Sequence, residues 1–353
     1  MDILKHPLYL ADVAETAYLD LPWEKLQGKS MVISGASGMI GSFLVDVLME
    51  KNRQGLYCHI YAIGRNTDGA KKRFAPYWND ANFDFVAWDV SQPHSAGDIP
   101  RADYVLHLAS NTHPVAYATE PIQTITTNIL GTSHLLELAK ARQAQRFLLA
   151  SSCEIYGENR GDVEKFDESY CGYIDCNTMR AGYPESKRCS ETLCQAYAKQ
   201  ENMDVVVARI SRVYGPTLRI TDTKALSQFI GKALSGEDIV LKSEGRQHYS
   251  YLHVRDAVSG LLTILLKGEA GEAYNIADEA SDIHLRDLAG VIASTAGKKV
   301  VFELPDAVEQ AGFSTATKAL LDGSKLQALG WQAHYEIAAG LRQALAVLKD
   351  IRK

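Results

Sequence analysis

A run of strand character, Ser30–Ser34, ends directly in Gly35-Ala36-Ser37-Gly38-Met39-Ile40-Gly41, and apolar side chains then recur at helical spacing through Ile40, Phe43, Leu44, Val47 and Leu48. Strand, glycine turn and helix in that order leave few folds open. The first glycine allows a tight turn, the second lets backbone approach a ligand, and the third lets helix and strand pack closely. Amide groups at the helix start, including those of Ser37, Met39 and Ile40, then favour an anion such as a pyrophosphate over the turn. Glycines also mark plain turns, so the strand-to-helix setting carries this reading rather than the triplet alone.

The same alternation continues downstream. Strands are expected near residues 58–64, 83–88, 103–109, 147–151 and 205–210, with helices near 121–142 and 183–202. Strands alternating with helices imply an α/β fold with a doubly wound parallel sheet, which binds ligands at the carboxyl ends of its strands. Beyond Tyr214 the regularity weakens. Helical segments near 224–234, 254–266, 285–296 and 337–349 alternate with short strand-like pieces, and Gly268, Gly297 and Gly330 stand where helices would end, so a smaller mixed α/β lobe is expected. The expected division is a dinucleotide-binding domain over 28–214, with 246–267 packing back on it, and a substrate lobe over 215–245 and 268–353. Residues 1–27 are read as a mostly polar N-terminal extension. Residues 158–182 show little periodicity and are long for a plain connection, which marks them as functional or mobile.

The 353 residues suit two domains at roughly 150 each, and a 46% hydrophobic, 23% charged composition excludes disordered and fibrous classes. Net charge is −6 and the densest basic cluster is only Lys71, Lys72 and Arg73, which argues against a nucleic-acid partner. No apolar run approaches the roughly 18 residues needed to span a bilayer, and the start has no basic and apolar leader, so no membrane partner and a cytoplasmic location are expected. The six cysteines read as free thiols; without C-x2-C or H-E-x-x-H spacing, no metal is expected.

Two positions bear on the dinucleotide. Arg65 follows the second strand, where an acid would hold ribose hydroxyls; an arginine there meets a 2′-phosphate or stacks on adenine, so NAD and NADP both stay open. Asp89, after the third strand, either accepts from an adenine amino group or simply ends the strand in solvent. The most informative segment is Tyr183-Pro184-Glu185-Ser186-Lys187. Tyr and Lys four apart share a helix face, so the ammonium is expected to lower the phenol from its usual value of about 10 and make Tyr183 a general base. Alone such a pair is commonplace on helix surfaces; with the glycine turn upstream it gains meaning.

Taken as a set, Gly35-x-x-Gly38-x-x-Gly41, His107-Leu108-Ala109, Ser151-Ser152-Cys153-Glu154-Ile155-Tyr156-Gly157 and Tyr183-x-x-x-Lys187 resemble the extended short-chain dehydrogenase/reductase superfamily, in its nucleotide-sugar epimerase/dehydratase branch. The likeness runs from about residue 28 to 348 and is closest, over 106–140 and 180–200, to UDP-glucuronate decarboxylases and 4,6-dehydratases. It implies a Rossmann-like sheet, bound NAD or NADP with Val90, Leu108 and Ala109 beside it, and a nucleotide-diphosphate sugar as substrate. It also implies that Tyr183 deprotonates the sugar 4-hydroxyl during oxidation at C4, that Ser152 binds the 4-oxygen, and that Lys187 also holds the nicotinamide ribose. The 4-keto sugar then branches to dehydration, decarboxylation or epimerisation. A homodimer through the helices near 121–142 and 183–202 is implied as well.

The sequence departs from the pattern in two places. Glucose-type 4,6-dehydratases carry Asp-Glu after the serine, whereas this chain has Cys153-Glu154; a thiol is a poor acid for a leaving hydroxyl, and Cys153 reads equally as a small buried residue. Decarboxylases and mannose-type dehydratases, with Ser-Glu there, are the nearer match, and Glu154 is expected to take part in catalysis. Where related enzymes place a substrate-lobe arginine, this chain has Tyr249. Arg180, Arg219 and Arg246 are therefore the candidates, with Tyr249, for substrate contact, since a diphosphate needs cationic partners. The expectation is a lyase working by transient C4 oxidation, with a 4-epimerase as alternative and a non-catalytic dinucleotide-binding module as the reading from another class.

Overall fold

Parallel pairing starts with Ser30–Ser34 (β1), whose five residues are all buried and flanked by His59–Gly64 (β2) and Tyr104–His107 (β4). Phe83–Ala87 (β3), Arg146–Ser152 (β5), Val205–Ile210 (β6) and Ala273–Ile276 (β10) complete a seven-stranded sheet in the order β10-β6-β5-β4-β1-β2-β3, with every neighbouring pair parallel. This is the doubly wound order with one added strand, and its reversal point lies between β1 and β4. The computed structural model describes residues 2–93, 96–112, 114–219, 222–303 and 317–352. Residues 304–316 of the expected substrate lobe lie outside the described residues.

Both faces of the sheet are covered over its central strands, so these read as largely apolar runs, whereas the edge strand β3 exposes Asp84 and Ala87. Side chains alternate between the faces: Met31 and Ile33 join one core with Phe43, Leu44 and Val47, while Val32 joins the other with Leu135, Leu136 and Phe147. The first face holds Met39–Arg53 (α2) and Val254–Lys267 (α8), the latter buried from Val254 to Leu266 and packed on α2 and β6. The second holds Pro121–Ala141 (α5) and Gly182–Glu201 (α6), which pack on each other.

A third core belongs to the second lobe, where Ala225–Ser235 (α7) and Leu285–Ala296 (α9) pack together. Its small sheet centres on His248–His253 (β9), paired with Arg212–Tyr214 (β7), Asp282–His284 (β11) and Lys318–Ala319 (β13); Ile239–Leu241 (β8) pairs with Val300–Phe302 (β12).

The N-terminal segment, expected to be a mostly polar extension, is rich in apolar residues and packs as a helix. Pro7–Ala17 (α1) starts with proline in its first turn, and Tyr9, Val13 and Ala17, four apart, form a buried stripe. Tyr9 donates its hydroxyl to Asp46, which also pairs with Arg73. On the other side Asp12 accepts from the Tyr335 hydroxyl and from Gln343 Nε2, each at 2.7 Å. Residues 158–182 are tied down as well: Phe166 is fully buried and its N–H donates to the Leu320 carbonyl at 2.8 Å, while Gly172 N–H donates to the Tyr156 carbonyl at 2.9 Å.

Candidate active site

The glycine turn sits against the end of β4. Gly35 has φ +69°, and a Cβ there would lie 2.8 Å from the Ala109 amide nitrogen, so neither the backbone angle nor the space admits a side chain. Ser34 Oγ accepts from the Leu108 and Ala109 amides at 3.1 and 3.2 Å and fixes that approach. A Cβ on Gly41 would press on the Gly35 carbonyl and lie 2.8 Å from Ala36 Cα. Gly38 is the N-cap of α2 and makes no side-chain cap, so the first amides of that helix are left for a ligand. Such a cradle fits a dinucleotide pyrophosphate. Arg65 is exposed just after β2, and Asp89 holds Ser91 through its amide and hydroxyl at 3.0 and 2.8 Å. Asp89 lines a separate cavity of about 460 Å³ with Gln123 and Thr126, while Val90 is buried and its carbonyl meets His134 Nδ1 at 2.8 Å.

A larger cavity of about 530 Å³ connects this end of the sheet to the second lobe. Met39, Ile40 and Leu108 line it beside the glycine turn, and Ser152, Cys153, Glu154, Tyr183 and Lys187 line it further along. The residues converge because β5 ends at Ser152, which caps the short helical turn Cys153–Tyr156 by accepting from the Glu154 amide at 3.2 Å, while Tyr183 and Lys187 share the inner face of α6. Asn128 of α5 holds α6 in place: it donates to Ser186 Oγ at 2.9 Å and accepts from Ser110 Oγ at 2.7 Å.

The electrostatics correct one expectation. Lys187 does not lower the Tyr183 phenol here; burial lifts the phenol above its ordinary value, the nearby Glu154 charge adds to that, and hydrogen bonding with Ser152 pulls the other way. The Lys187 ammonium donates to the Ala150 carbonyl at 2.8 Å instead, and burial lowers it to about 8. Tyr183 is thus poised against Ser152, and the Arg180 charge also favours its ionised form. Tyr117 stacks on Tyr183 with ring centroids 4.9 Å apart.

Glu154 is bound by Arg180 at 2.8 Å, and the Arg180 guanidinium lies over the Tyr117 ring at 4.8 Å, with its Nε buried and unpartnered. Arg180 and Tyr249 line the cavity; Arg219 and Arg246 do not. Arg219 donates to the Ser37 carbonyl of the glycine turn at 2.9 Å, and Arg246 is exposed and pairs with Glu244 at 2.5 Å. Burial lifts the Cys153 thiol, so it stays protonated at neutral pH. Sequence reasoning missed Arg212 of β7, whose guanidinium enters the cavity wall over Tyr249. A charged residue inside a strand that follows an apolar one was the available signal.

Residues 31–277 match the NAD dependent epimerase/dehydratase family. The chain belongs to this family. It is 32% identical over 314 residues to UDP-glucuronic acid decarboxylase 5 of Arabidopsis thaliana, covering 88% of this chain and 86% of that protein. It is 37% identical over 238 residues to UDP-glucuronic acid decarboxylase 1 of Xenopus tropicalis, covering 67% and 53%. The fold is that of UDP-glucose 4-epimerase from Thermotoga maritima (TM-score 0.79, 23% identity, 92% of this chain and 100% of that one). It is also that of dTDP-glucose 4,6-dehydratase from Streptomyces venezuelae, solved with NAD bound (TM-score 0.78, 24% identity, 92% and 98%). Among the described residues no helix is long and apolar enough to cross a membrane.

Proposed function

We propose that the protein is an NAD-dependent enzyme that oxidises a nucleotide-diphosphate hexuronate transiently at C4 and decarboxylates it. The observation that carries the reading is the meeting of Ser152, Tyr183 and Lys187 in one cavity whose other end is the glycine turn. The decarboxylase relatives support the choice of outcome, and so does residue 153. Dehydration needs an acid for the departing 6-hydroxyl, and a buried thiol held protonated is a weak one. Loss of carbon dioxide needs none.

Bound NAD supplies a two-electron oxidation at C4 and its reversal. The chain's own residues do the rest. Tyr183 takes the proton of the 4-hydroxyl and returns it, and Ser152 donates to the 4-oxygen. Once C4 is a ketone, the C5 carboxylate is β to a carbonyl: the C5–C6 bond breaks, carbon dioxide leaves, and the electron pair moves onto the 4-oxygen that Ser152 and Tyr183 hold. A proton then returns to C5. Lys187 would hold the nicotinamide ribose, and Arg180 fixes Glu154 at the cavity wall. Arg65 leaves room for a 2′-phosphate, so NADP is the competing cofactor.

We place the working form as a homodimer through α5 and α6, where Ile122 is 77% and Leu130 42% exposed, and in the cytosol, in keeping with six unpaired cysteines. The test is incubation with UDP-, dTDP-, GDP- and CDP-linked hexoses and hexuronates, followed by mass. Carbon dioxide loss from a hexuronate supports the proposal. Water loss marks a dehydratase, unchanged mass with inverted stereochemistry marks an epimerase, and absence of any conversion leaves a binding module.

A further inference from the structure

Among the described residues, six charged side chains line the large cavity: Glu154, Arg180, Lys187, Arg212, Lys224 and Lys242. Arg180 is neutralised by Glu154, Lys224 pairs with Asp222 at 2.8 Å, Lys187 donates to a carbonyl, and Lys242 is partnered as well. Arg212 stands apart. Its Nη1 donates to Cys153 Sγ at 3.7 Å and its guanidinium lies 3.5 Å from the centroid of the Tyr249 ring. Among the described residues no carboxylate lies within ion-pairing distance of it. A thiol is a weak acceptor and a ring face accepts no conventional hydrogen bond, so most of the five guanidinium donors are left for something inside the cavity. Holding a guanidinium away from bulk water without a counter-ion is costly, and a bound anion removes that cost.

Position decides which anion. Cys153 follows Ser152 directly, so Arg212 stands at the end of the cavity that holds the reacting carbon, not at the glycine-turn end. In a nucleotide sugar the diphosphate hangs from C1, across the ring from C4, whereas a carboxylate on C5 is the neighbour of C4. We infer that Arg212 is the counter-ion for a carboxylate on the sugar ring, and therefore the residue by which this enzyme selects a nucleotide-diphosphate hexuronate over the corresponding hexose. The inference rests on the nucleotide-sugar reading above and adds the group that sets its substrate class. Arg180, fixed on Glu154, is not available for this role.

Calorimetric binding to the full chain loaded with NAD tests it, using UDP, UDP-glucose and UDP-glucuronate against wild type, Arg212→Gln and Arg212→Lys, each also carrying Tyr183→Phe so that the ligand is bound and not consumed. A charge-assisted pair predicts that wild type prefers UDP-glucuronate to UDP-glucose by about 10- to 100-fold, and that Arg212→Gln removes this preference. In that variant UDP and UDP-glucose bind as in wild type, which also shows that the fold is intact, and Arg212→Lys keeps a preference of the same sign. Equal affinity of wild type for the two sugars overturns the inference while leaving the nucleotide-sugar reading standing. So does an equal loss of UDP itself in Arg212→Gln, which would put the guanidinium on the diphosphate. Absence of binding by all three ligands to wild type removes both readings.

Discussion

Three alanine substitutions in the glycine turn separate its structural from its binding duties. In Gly41→Ala the new Cβ meets backbone, the Gly35 carbonyl and Ala36 Cα at 2.8 Å, and backbone there cannot step aside without moving β1 from α2. Overpacking of this kind costs about 1–3 kcal/mol. At the roughly 2–4 °C per kcal/mol of a large domain, the expected fall in Tm is about 2–12 °C. Gly35→Ala adds about 1–2 kcal/mol for a side chain at φ +69°, besides its clash with Ala109, and falls further. Gly38→Ala is different. Its φ is −75°, and the only atom within reach of a Cβ is the Gly35 carbonyl oxygen at 3.1 Å, so the cost is at most about 1 kcal/mol for replacing glycine at an N-cap. Its methyl nevertheless stands where a pyrophosphate would approach. The same 1–3 kcal/mol of crowding then appears in binding, as about a 5- to 150-fold rise in the NAD Kd. Thermal unfolding without cofactor and NAD titration by fluorescence quenching measure the two effects. The reasoning is refuted if Gly38→Ala binds NAD like wild type, or if Gly41→Ala melts like wild type.

Tyr183→Phe removes the only proton shuttle assigned to the 4-hydroxyl and is expected to lower turnover by about 10²- to 10⁴-fold while NAD still binds, as read by product mass and by cofactor titration. Burial lowers the Lys187 ammonium from 10.5 to about 8, so between those values the unfolded chain holds the proton that the native chain has lost, and native stability rises with pH. Urea midpoints are therefore expected to show wild type gaining on the order of 3 kcal/mol over Lys187→Met between about pH 8 and pH 10.5, with no change in the difference below that window. Asp12→Ala strips acceptors from Tyr335 and Gln343 and leaves Arg255 with Glu15 alone, a loss of about 2–4 kcal/mol measurable by urea unfolding.

The parallel sheet is readable because its evidence is local: a strand buried on both faces must be largely apolar, and glycine or a polar cluster tends to end it. Hence Ser30–Ser34 and Val205–Ile210 have the same limits in the sequence pattern and in the fold. The strands around β9 are two to six residues long and pair with segments far away in the chain, so periodicity has nothing to act on. Helix α1 escapes detection because exposed Leu8 and Leu10 blur its buried stripe of Tyr9, Val13 and Ala17, and its anchors, Asp46, Arg73 and Tyr335, are distant in sequence. The same contrast holds in the site. Tyr183, Lys187 and Ser152 belong to compact motifs, whereas Arg246 is suggested only by its nearness in sequence to Tyr249 and is turned to solvent. Arg212 matters for the carboxylate it does not have, which is a property of the folded chain only.

That unpaired arginine also bears on the steps after oxidation. A guanidinium on the ring carboxylate stabilises the bound substrate, but carbon dioxide is neutral, so the contact weakens as the C5–C6 bond breaks and the charge moves to the 4-oxygen. Binding energy present in the ground state and lost in the transition state raises the barrier. If the enzyme is a decarboxylase, Arg212→Gln should therefore raise KM and raise kcat with it, trading substrate selection for speed. In an epimerase the carboxylate stays ionised from start to finish, the contact is uniform, and the same substitution raises KM with kcat unchanged. The chemistry of one side chain thus distinguishes two outcomes that share every earlier step, and a decarboxylase whose kcat is unmoved by Arg212→Gln would show that the guanidinium does not hold the carboxylate more strongly in the bound substrate than in the transition state, which would refute this assignment.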